Sequence, residues 1–419
     1  MSSSPPDTVN QAETTPTDHP GDELQLRGAG RKLLFVITED WFFYSHFMPM
    51  AQAAIDAGYT VAVAARYTDH RNALEKIGIT SFELSLDRGR LNPFGAVTLI
   101  FRLFSLYRRL KPDVVHHISL KPVVLGSLAA RLAAVPVMVN AVTGFGFLFT
   151  STDKRFGYLR WIVGWMLRRT VGAPSSFVLL ENEDDAKALT QQGIDAGRIT
   201  IVGGAGVDPE AFPAMPLAME NAAAEEGQPL KLALVARMLW SKGIDVAVAA
   251  TKKAWDAGAS VELTLVGAPD PLNPAAIPED QLEEWDDEPG IIWAGRRDDI
   301  VAVWGAADIA LLPSRGGEGL PRSLIEAAAC GRALLTTSVP GCREIVVEGE
   351  TGHLVPPNDV DALTNVIVAL AAEPGRAIEM GKASRQHFET RFTEAHVTGS
   401  LLDLYDQATS WAVQAGRLS

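Results

Sequence analysis

The sequence predicts an α/β protein made of two doubly wound parallel-sheet domains that face each other across a cleft. The first observation is length, because 419 residues exceed what a single hydrophobic core usually organises. The second is a rhythm of short apolar, β-branched runs that alternate with helical patterns ending on glycine, which indicates parallel βαβ units. The third is that this rhythm starts twice, near residue 32 and again near residue 230.

The first domain is predicted over 30–207. A helix over 45–57, closed by Gly58, joins its first two strands. The preceding tail, 1–29, is polar and rich in Pro, Thr, Asp and Gly, so we expect it to be disordered. The predicted strands of this domain are 32–38, 60–64, 114–115, 137–139, 177–180 and 200–202.

The second domain is predicted over 208–390, and a helix over 244–258 follows its first strand. Apolar residues at helical spacing continue over 392–412, and we expect the final segment, 391–419, to cross back to the first domain as a helix. Two such domains in series place a ligand cleft at the carboxyl ends of their strands. The predicted strands of this domain are 232–235, 261–266, 291–293, 309–312 and 333–336.

Composition and charge exclude several classes of protein. The net charge of −14 argues against general nucleic-acid binding. Cys330 and Cys342 are too few for a disulfide framework, so we expect two reduced thiols that serve packing in a cytoplasmic protein. The sequence has no apolar run of about 18 residues, the length that a membrane span needs, and its first residues lack the basic and apolar regions of a signal peptide.

The turn after the predicted strand 309–312 carries the strongest chemical signal. Glu318 lies in a glycine-rich turn, and Glu326, eight positions later, lies in a helix that opens near Pro321. Glycines let backbone approach a ligand closely, and the free N–H groups of a helix start attract an anion. Carboxylates beside such a cradle make sense when the phosphate is flanked by sugars, because carboxylates bind sugar hydroxyls well.

A pair of cations follows the first strand of the second domain. Arg237 and Lys242 fall in a predicted strand-to-helix turn, at the same edge of the cleft as Glu318. Two cations near a helix N-terminus are unfavourable without an anion, and a diphosphate satisfies both, with the arginine able to bind it bidentately. Taken alone, the pair is equally consistent with two surface cations, but the Glu318 turn in the same domain favours the diphosphate.

These motifs resemble those of the retaining sugar-nucleotide glycosyltransferases of family 4, which have the GT-B fold. The resemblance covers about 31–410, and its matching segments are Arg237 with Lys242-Gly243, Glu318 through Glu326, Gly341-Cys-Arg-Glu-Ile and Gly352-His-Leu-Val-Pro. Within the family, a bacterial subgroup adds a sugar, often an N-acetylhexosamine, to an undecaprenyl-diphosphate-linked saccharide. The segments that resemble this subgroup are 38–46, 116–122 and 140–146.

The resemblance implies a role for each donor-site residue. Arg237 and Lys242 hold the diphosphate of a nucleotide sugar, taken to be a UDP-sugar, and stabilise it as it leaves. Glu318 binds the hydroxyls of the donor sugar. The other donor-site residues are Gly319 and Leu320, whose backbone N–H groups contact the distal phosphate, Glu326, which binds the ribose, and Gly295 with its neighbours, which lie at the base.

The first domain supplies candidates for the acceptor, and alternatives remain open for each. His46, beside the aromatic loop 41–44, either binds acceptor sugar or phosphate, or packs and caps the first helix. Lys121 either contacts an anion on the acceptor or lies on the surface at a helix start. Gly144 belongs to one of the matching segments and is placed at the cleft by the resemblance.

Two departures from the family pattern affect the expected sites. Many relatives have His-x-His after the fourth strand, whereas this chain has His116-His117. We expect His116 to close the strand and face the cleft, and His117 to point to the other face of the sheet with a structural role. The turn before Glu318 reads Ser314-Arg-Gly-Gly, where many relatives have an aromatic or small residue before the glutamate.

We expect neither a metal nor a cofactor. Metal-dependent transferases stabilise the departing diphosphate through Asp-x-Asp, and the acidic stretch Trp285-Asp-Asp-Glu is predicted to lie in a loop. Arg237, Lys242 and a helix dipole can replace the metal. No side chain is an obvious covalent nucleophile, so we expect a front-face substitution with retention, in which the leaving phosphate takes the acceptor proton.

Positive charge is concentrated in one part of the chain. The window 88–171 holds 13 Lys/Arg and 2 Asp/Glu, a balance of +11 in a chain of −14. Its segments 101–111 and 155–169 mix aromatic and basic residues, which favours an anionic bilayer surface; the alternative is core helices with solvated basic faces. Because a lipid-linked acceptor is reached at a membrane, we expect a cytoplasmic protein peripheral to the inner face of the cytoplasmic membrane.

Two other functions share this architecture. A sugar-nucleotide 2-epimerase needs acid/base carboxylates at the sugar and no acceptor site, and the aromatic loop 41–44 and the basic segments favour a transferase over it. A non-catalytic membrane scaffold would have no need of the four charged donor-site residues, all of which are present.

Overall fold

The computed structural model describes residues 27–84, 93–142, 165, 168–217, 228–270, 273–316 and 319–418. Its first sheet has seven parallel strands in the order β3-β2-β1-β4-β5-β6-β7. These strands are β1 (Lys32–Glu39), β2 (Thr60–Arg66), β3 (Thr80–Glu83), β4 (Val114–Ile118), β5 (Val137–Val142), β6 (Ser176–Leu180) and β7 (Ile199–Ile201).

The second sheet has six parallel strands in the order β10-β9-β8-β11-β12-β13. These are β8 (Leu230–Val235), β9 (Val261–Val266), β10 (Ile291–Trp293), β11 (Ile309–Leu312), β12 (Ala333–Thr337) and β13 (Gly352–Val355). In both sheets the chain winds outward one way and then the other, so a topological switch point lies between β1 and β4 and another between β8 and β11. The predicted pair of doubly wound parallel domains is confirmed.

The helices of the first domain correct one prediction. The helix expected over 45–57 is two helices that meet at buried Phe47. Pro49 explains the break, because it has no N–H to donate to the carbonyl of Ser45. The helices are α1 (Asp40–His46), α2 (Met48–Asp56), α3 (Arg71–Lys76), α4 (Pro93–Leu110), α5 (Ser127–Leu132) and α6 (Glu183–Gln191), with a π-helical turn at Pro122–Gly126.

The helices of the second domain correct a second prediction made from the sequence. Trp285 and Asp286, expected in a loop, lie in a helix, because Leu282 and Trp285 pack together against the core on one side of it. The helices are α7 (Ile244–Asp256), α8 (Glu279–Asp286), α9 (Ile300–Gly305), α10 (Arg322–Ala329), α11 (Cys342–Ile345), α12 (Val360–Ala372) and α13 (Pro374–Arg391).

The last helix, α14 (Glu394–Gln414), packs on the first domain. Its buried side chains, among them Val397, Leu401 and Tyr405, belong to the same core as β1 and α2. The first described residue is tied to this helix, because the Arg27 guanidinium binds the Asp403 carboxylate at 2.8 Å. Residues 27–29, predicted to be part of a disordered tail, are therefore held against the domain.

Across the described ranges, none of the helices combines the length and the apolar composition that crossing a bilayer requires.

Candidate active site

The turns that follow β8 and β11 meet at the switch point of the second sheet. Gly243, at the end of the first turn, has φ +74°, and a Cβ there would lie 1.9 Å from the Pro313 carbonyl oxygen. Only glycine accepts both the left-handed backbone and this close approach. The two turns predicted to bind the donor are therefore in direct contact.

A cavity of about 390 Å³ lies between these turns and the first domain. It brings together Arg237, Lys242, Gly319 and Leu320, all predicted from the sequence, with His46 of the opposite domain. It also contains Trp41 and Phe42 of the predicted aromatic loop and Pro321 at the predicted helix start, together with Glu181, Arg322 and Ser323, which were not predicted as site residues. Cations of one domain therefore face aromatic and acidic side chains of the other across one space.

Arg237 is half-exposed, and its Nη1 donates to the Asp270 carboxylate at 3.0 Å. Lys242 ends a 3-10 turn over Trp240–Lys242. Both cations line the same cavity, so an anion between them is attracted by two positive charges. This arrangement fits a diphosphate group.

Arg315 joins the two turns. Its guanidinium binds the Asp245 carboxylate bidentately, with N–O distances of 2.8 and 2.6 Å, and donates to the Trp240 carbonyl. Its backbone N–H donates to the Ser241 carbonyl at 2.8 Å. The arginine that departs from the family pattern before Glu318 thus holds the Lys242 turn against the glycine-rich turn.

The backbone N–H of Leu320 already has an acceptor in the other domain. It donates to the Glu181 carboxylate at 2.8 Å. Glu181 follows β6 directly, so it stands at the carboxyl edge of the first sheet. Glu181 was not predicted as a site residue, although its position directly after a buried strand was a usable sequence signal.

Glu326 lies on α10 and binds Arg322 through a 2.8 Å contact between Oε1 and Nε. Burial raises the pKa of the Glu326 carboxyl, and the Arg322 charge partly opposes that rise. Arg322 also donates to the Ser45 carbonyl, the group that Pro49 leaves without a helical donor. Arg322 therefore links the predicted ribose residue to the aromatic loop of the first domain.

His46 is held in one orientation. His46 Nδ1 lies 2.6 Å from the Ser45 hydroxyl oxygen, and that hydroxyl also lies 2.9 Å from the Trp41 carbonyl oxygen. Burial, followed by the Arg322 and Arg237 charges, lowers the pKa of His46 to about 4. The imidazole is neutral near pH 7, so one of its ring nitrogens is a hydrogen-bond donor and the other an acceptor, and the side chain lines the cavity.

The prediction for His116 is wrong. His116 is the central residue of β4 and is wholly buried, with Nδ1 2.7 Å from the Tyr405 hydroxyl of α14. It faces the core that α14 covers rather than the cleft. His117 points to the opposite face, as expected, and contacts Asn140 and Tyr107 at 2.9 and 3.0 Å in a buried network.

The remaining predicted residues either lie outside this cavity or are not among the described residues. Gly295 follows β10 with φ +62°, and its carbonyl accepts from the Gly267 N–H at 2.7 Å. Lys121 is partly buried just before the π-helical turn. Glu318 and Gly144 lie outside the described residues. Within the ranges that are described, no cluster of three His, Cys, Asp or Glu side chains has a geometry for a metal ion.

Two family models match the chain, one for each domain. The model described as "Glycosyl transferase 4-like" matches residues 32–171, and "Glycosyl transferases group 1" matches residues 229–373. The chain belongs to the family 4 type of glycosyltransferases. The second model covers all six strands of the second sheet, and the first covers β1 to β5 of the first sheet. Both switch points fall inside these matches, so the cleft described above lies between the two matched regions of this glycosyltransferase.

Two curated relatives of this glycosyltransferase are named for transfer to undecaprenyl-diphosphate-linked saccharides. The N,N'-diacetylbacillosaminyl-diphospho-undecaprenol alpha-1,3-N-acetylgalactosaminyltransferase of Campylobacter jejuni is 24% identical over 86% of this chain and 95% of its own length. The UDP-Gal:alpha-D-GlcNAc-diphosphoundecaprenol alpha-1,3-galactosyltransferase of Escherichia coli is 26% identical over 73% of this chain and 78% of its own. Both are transferases, which favours that function over the epimerase.

Solved structures confirm the fold. Anabaena HepE in complex with UDP superposes with a TM-score of 0.71 at 18% identity, covering 90% of this chain and 100% of HepE. Sucrose-phosphate synthase from Thermosynechococcus elongatus superposes with a TM-score of 0.72 at 19% identity, covering 91% and 99%. The glycosyltransferase therefore has the GT-B architecture that its sequence motifs implied.

Proposed function

We propose that this glycosyltransferase moves a hexose or N-acetylhexosamine from a UDP-sugar to a polyprenyl-diphosphate-linked saccharide, with retention at the anomeric carbon. The observation that carries the proposal is the cavity where Arg237, Lys242 and the Leu320 turn face His46 and Glu181. The Campylobacter jejuni and Escherichia coli relatives, which are named for transfer to undecaprenyl-diphosphate-linked saccharides, support the acceptor class.

The role of the two cations in this reaction is to stabilise the leaving diphosphate. As the bond between the anomeric carbon and the diphosphate oxygen breaks, negative charge grows on the diphosphate, and Arg237 and Lys242 stabilise it there. The acceptor hydroxyl oxygen forms the new bond from the same face and gives its proton to the departing phosphate oxygen. Glu318 binds the sugar hydroxyls, Glu326 the ribose, and the turn at Gly295 the base.

A surface on the first domain supports delivery of the acceptor from a membrane. The four most exposed large apolar side chains among the described residues all lie here: Val97 (53%), Phe101 (68%), Leu132 (62%) and Trp165 (52%). We call this the α4–α5 patch. Its exposed cations are Arg102, Arg108, Arg109, Arg131, Arg168 and Arg169.

Arg131 of α5 contacts the segment that carries Trp165. The Arg131 guanidinium donates to the Arg169 carbonyl, and the Arg169 guanidinium lies 5.6 Å from the Trp165 ring centre. Apolar side chains ringed by arginines match an anionic lipid surface. We propose that the protein is peripheral to the cytoplasmic face of the membrane and docks through this patch; of the segment 155–169, only residues 165, 168 and 169 are described.

The proposed reaction is tested with purified protein and a short-chain prenyl-diphosphate N-acetylhexosamine. UDP-, GDP- and ADP-linked hexoses and N-acetylhexosamines are tested in turn as donors. The mass of the lipid product is measured by mass spectrometry, and its anomeric configuration is determined by NMR. We expect one sugar to be added from a UDP-linked donor, with the α configuration kept, and no transfer by Glu318→Ala. Conversion of the donor to a new isomer without acceptor would instead identify an epimerase.

The membrane proposal is tested by flotation with anionic vesicles. Arg168→Glu with Arg169→Glu should lower vesicle binding, by about 1 kcal/mol for each charge lost near the surface. Lys252→Glu with Lys253→Glu makes the same charge change on α7 of the second domain and should leave flotation unchanged. Equal flotation of the two double variants would contradict docking through the patch.

A further inference from the structure

An exposed aromatic pair stands at the first-domain edge of the cleft. The Tyr44 ring of α1 lies on the His70 ring with their centres 4.3 Å apart and their planes within 6°. Tyr44 is 42% exposed, and both residues line a second cavity of about 870 Å³. Rings stacked in parallel present a flat apolar face with polar edges, and such a face fits the apolar side of a sugar ring.

A buried carboxylate fixes this pair in place. Asp40, the first residue of α1, is wholly buried. Its carboxylate accepts from the backbone N–H groups of Thr68, Asp69 and His70 at 2.9, 3.1 and 2.9 Å, and from the Thr68 hydroxyl at 2.9 Å. The turn that carries His70 is thereby locked onto the helix that carries Tyr44, so the stack is organised before any ligand arrives.

The second cavity is continuous with the cavity proposed for the donor diphosphate. Trp41 and Arg237 line both of them. Front-face transfer requires the acceptor hydroxyl and the leaving phosphate on the same face of the donor sugar. A saccharide lying on the stack is therefore beside Trp41 and next to the donor cavity. Arg296, which neighbours the proposed base residue Gly295, lines the second cavity from the opposite domain.

We propose that Tyr44 and His70 form a binding platform for a pyranose ring of the lipid-linked acceptor saccharide. This inference rests on the proposed transferase function and names the acceptor subsite of that cleft. The polar groups beside the rings suit sugar hydroxyls: Ser45, Thr68 and Asp69 also line the cavity, with the Arg66 guanidinium, which binds Glu39 at 2.9 Å.

The test separates the acceptor from the donor. Tyr44→Ala and His70→Ala are assayed with the prenyl-diphosphate N-acetylhexosamine, and KM is measured for each substrate beside the Kd for UDP. We expect the acceptor KM to rise about tenfold, the contribution of one aromatic contact, while the donor KM and the UDP Kd stay at wild-type values. Tyr44→Phe keeps the ring and should keep the acceptor KM.

Other results would overturn the platform. A rise in the UDP Kd that matches the rise in KM would place the nucleobase on these rings. If the KM values for donor and acceptor and the Kd for UDP all stay unchanged, the stack binds neither substrate and the proposal is rejected. If the wild-type protein binds UDP but transfers no sugar, the proposed transferase reaction is wrong, and the platform is then tested by binding alone. Saturation-transfer NMR with the same lipid-linked sugar shows whether the sugar contacts the wild-type protein and whether Tyr44→Ala removes that contact. No contact between the sugar and the wild-type protein would reject the platform.

Discussion

On the second-domain side of the cleft, the turns after β8 and β11 carry cations, glycines and a helix start, and both turns were found from local sequence. On the first-domain side, the cleft is lined by Trp41, Tyr44, His46, His70 and Glu181, which come from three separate segments. The first set fits a diphosphate and the second fits sugar rings and hydroxyls. The turns of the proposed donor site were therefore recognisable from local sequence, whereas His70 and Glu181 of the proposed acceptor side are brought to the cleft by the fold.

The largest expected effect comes from removing a donor cation. Lys242→Ala should lower kcat by two to three orders of magnitude, since one lost transition-state contact costs on the order of 3 kcal/mol, with the melting temperature unchanged. Transfer of sugar to the lipid acceptor at saturating donor measures it. Lys252→Ala removes an exposed lysine that binds Glu288 on the same domain and serves as the control; equal losses in both would reject the donor site.

Acidification should weaken the first domain more than the second. Burial lowers the pKa of His116 to about 3 and of His117 to about 4, against an ordinary value near 6.5. Stability from these neutral groups is complete above pH 6.5 and is lost as the pH falls towards 4, because the unfolded chain binds protons first. The pKa of Glu326 in the second domain is raised, so its protonation as the pH falls favours the folded state of that domain.

Hydrogen exchange at pH 7.0 and 5.0, corrected for intrinsic rates, measures this contrast. Opening of β4 and β5 should become easier by about 2 kcal/mol for each histidine over that range, while β8 and β11 change less. His117→Gln should reduce the pH dependence of the first sheet. An identical pH dependence in the variant would show that His117 is not linked to folding.

Arg315 should matter for activity more than for stability. Arg315→Ala frees the Lys242 turn from the glycine-rich turn, so kcat/KM should fall about tenfold through misplacement of the donor site. Asp245→Ala should have the same effect, and the double variant should be no worse than either single one. Lys253→Ala, which breaks an exposed ion pair with Asp361, is the control. Additive losses would mean that the two residues act separately.

The smallest expected effect comes from substituting His46. It distinguishes the two interpretations of this residue, binding of the acceptor or packing and capping of the first helix. A glutamine amide reaches the position of Nε2, and an asparagine amide reaches that of Nδ1. If Nε2 accepts from a sugar hydroxyl, His46→Gln keeps most of the transfer rate and His46→Asn loses about fivefold, near 1 kcal/mol for one hydrogen bond. A better rate for His46→Asn would favour the packing and capping role, which uses the Nδ1 contact with Ser45.

Most strand positions in both sheets were predictable, because buried parallel strands are continuous apolar runs. β3 and β13 were missed, and both are four-residue edge strands with few apolar residues, TSFE and GHLV. The alternation of His116 and His117 was correct, but the sequence could not say which face of the sheet α14 would cover. Glu181 and Arg322 were missed for a related reason, because their partners lie in the other domain.

The sequence by itself determined the two parallel sheets, their winding and the pair of turns that meet at the second switch point. Hydrophobic period and turn chemistry are local, so they are encoded within a few tens of residues. Only the tertiary structure decided the contacts of Glu181 with Leu320, of Arg322 with Ser45 and of His116 with Tyr405, whose partners are 139, 277 and 289 positions apart. Such pairs depend on how the domains and the last helix pack, and no local pattern encodes that packing.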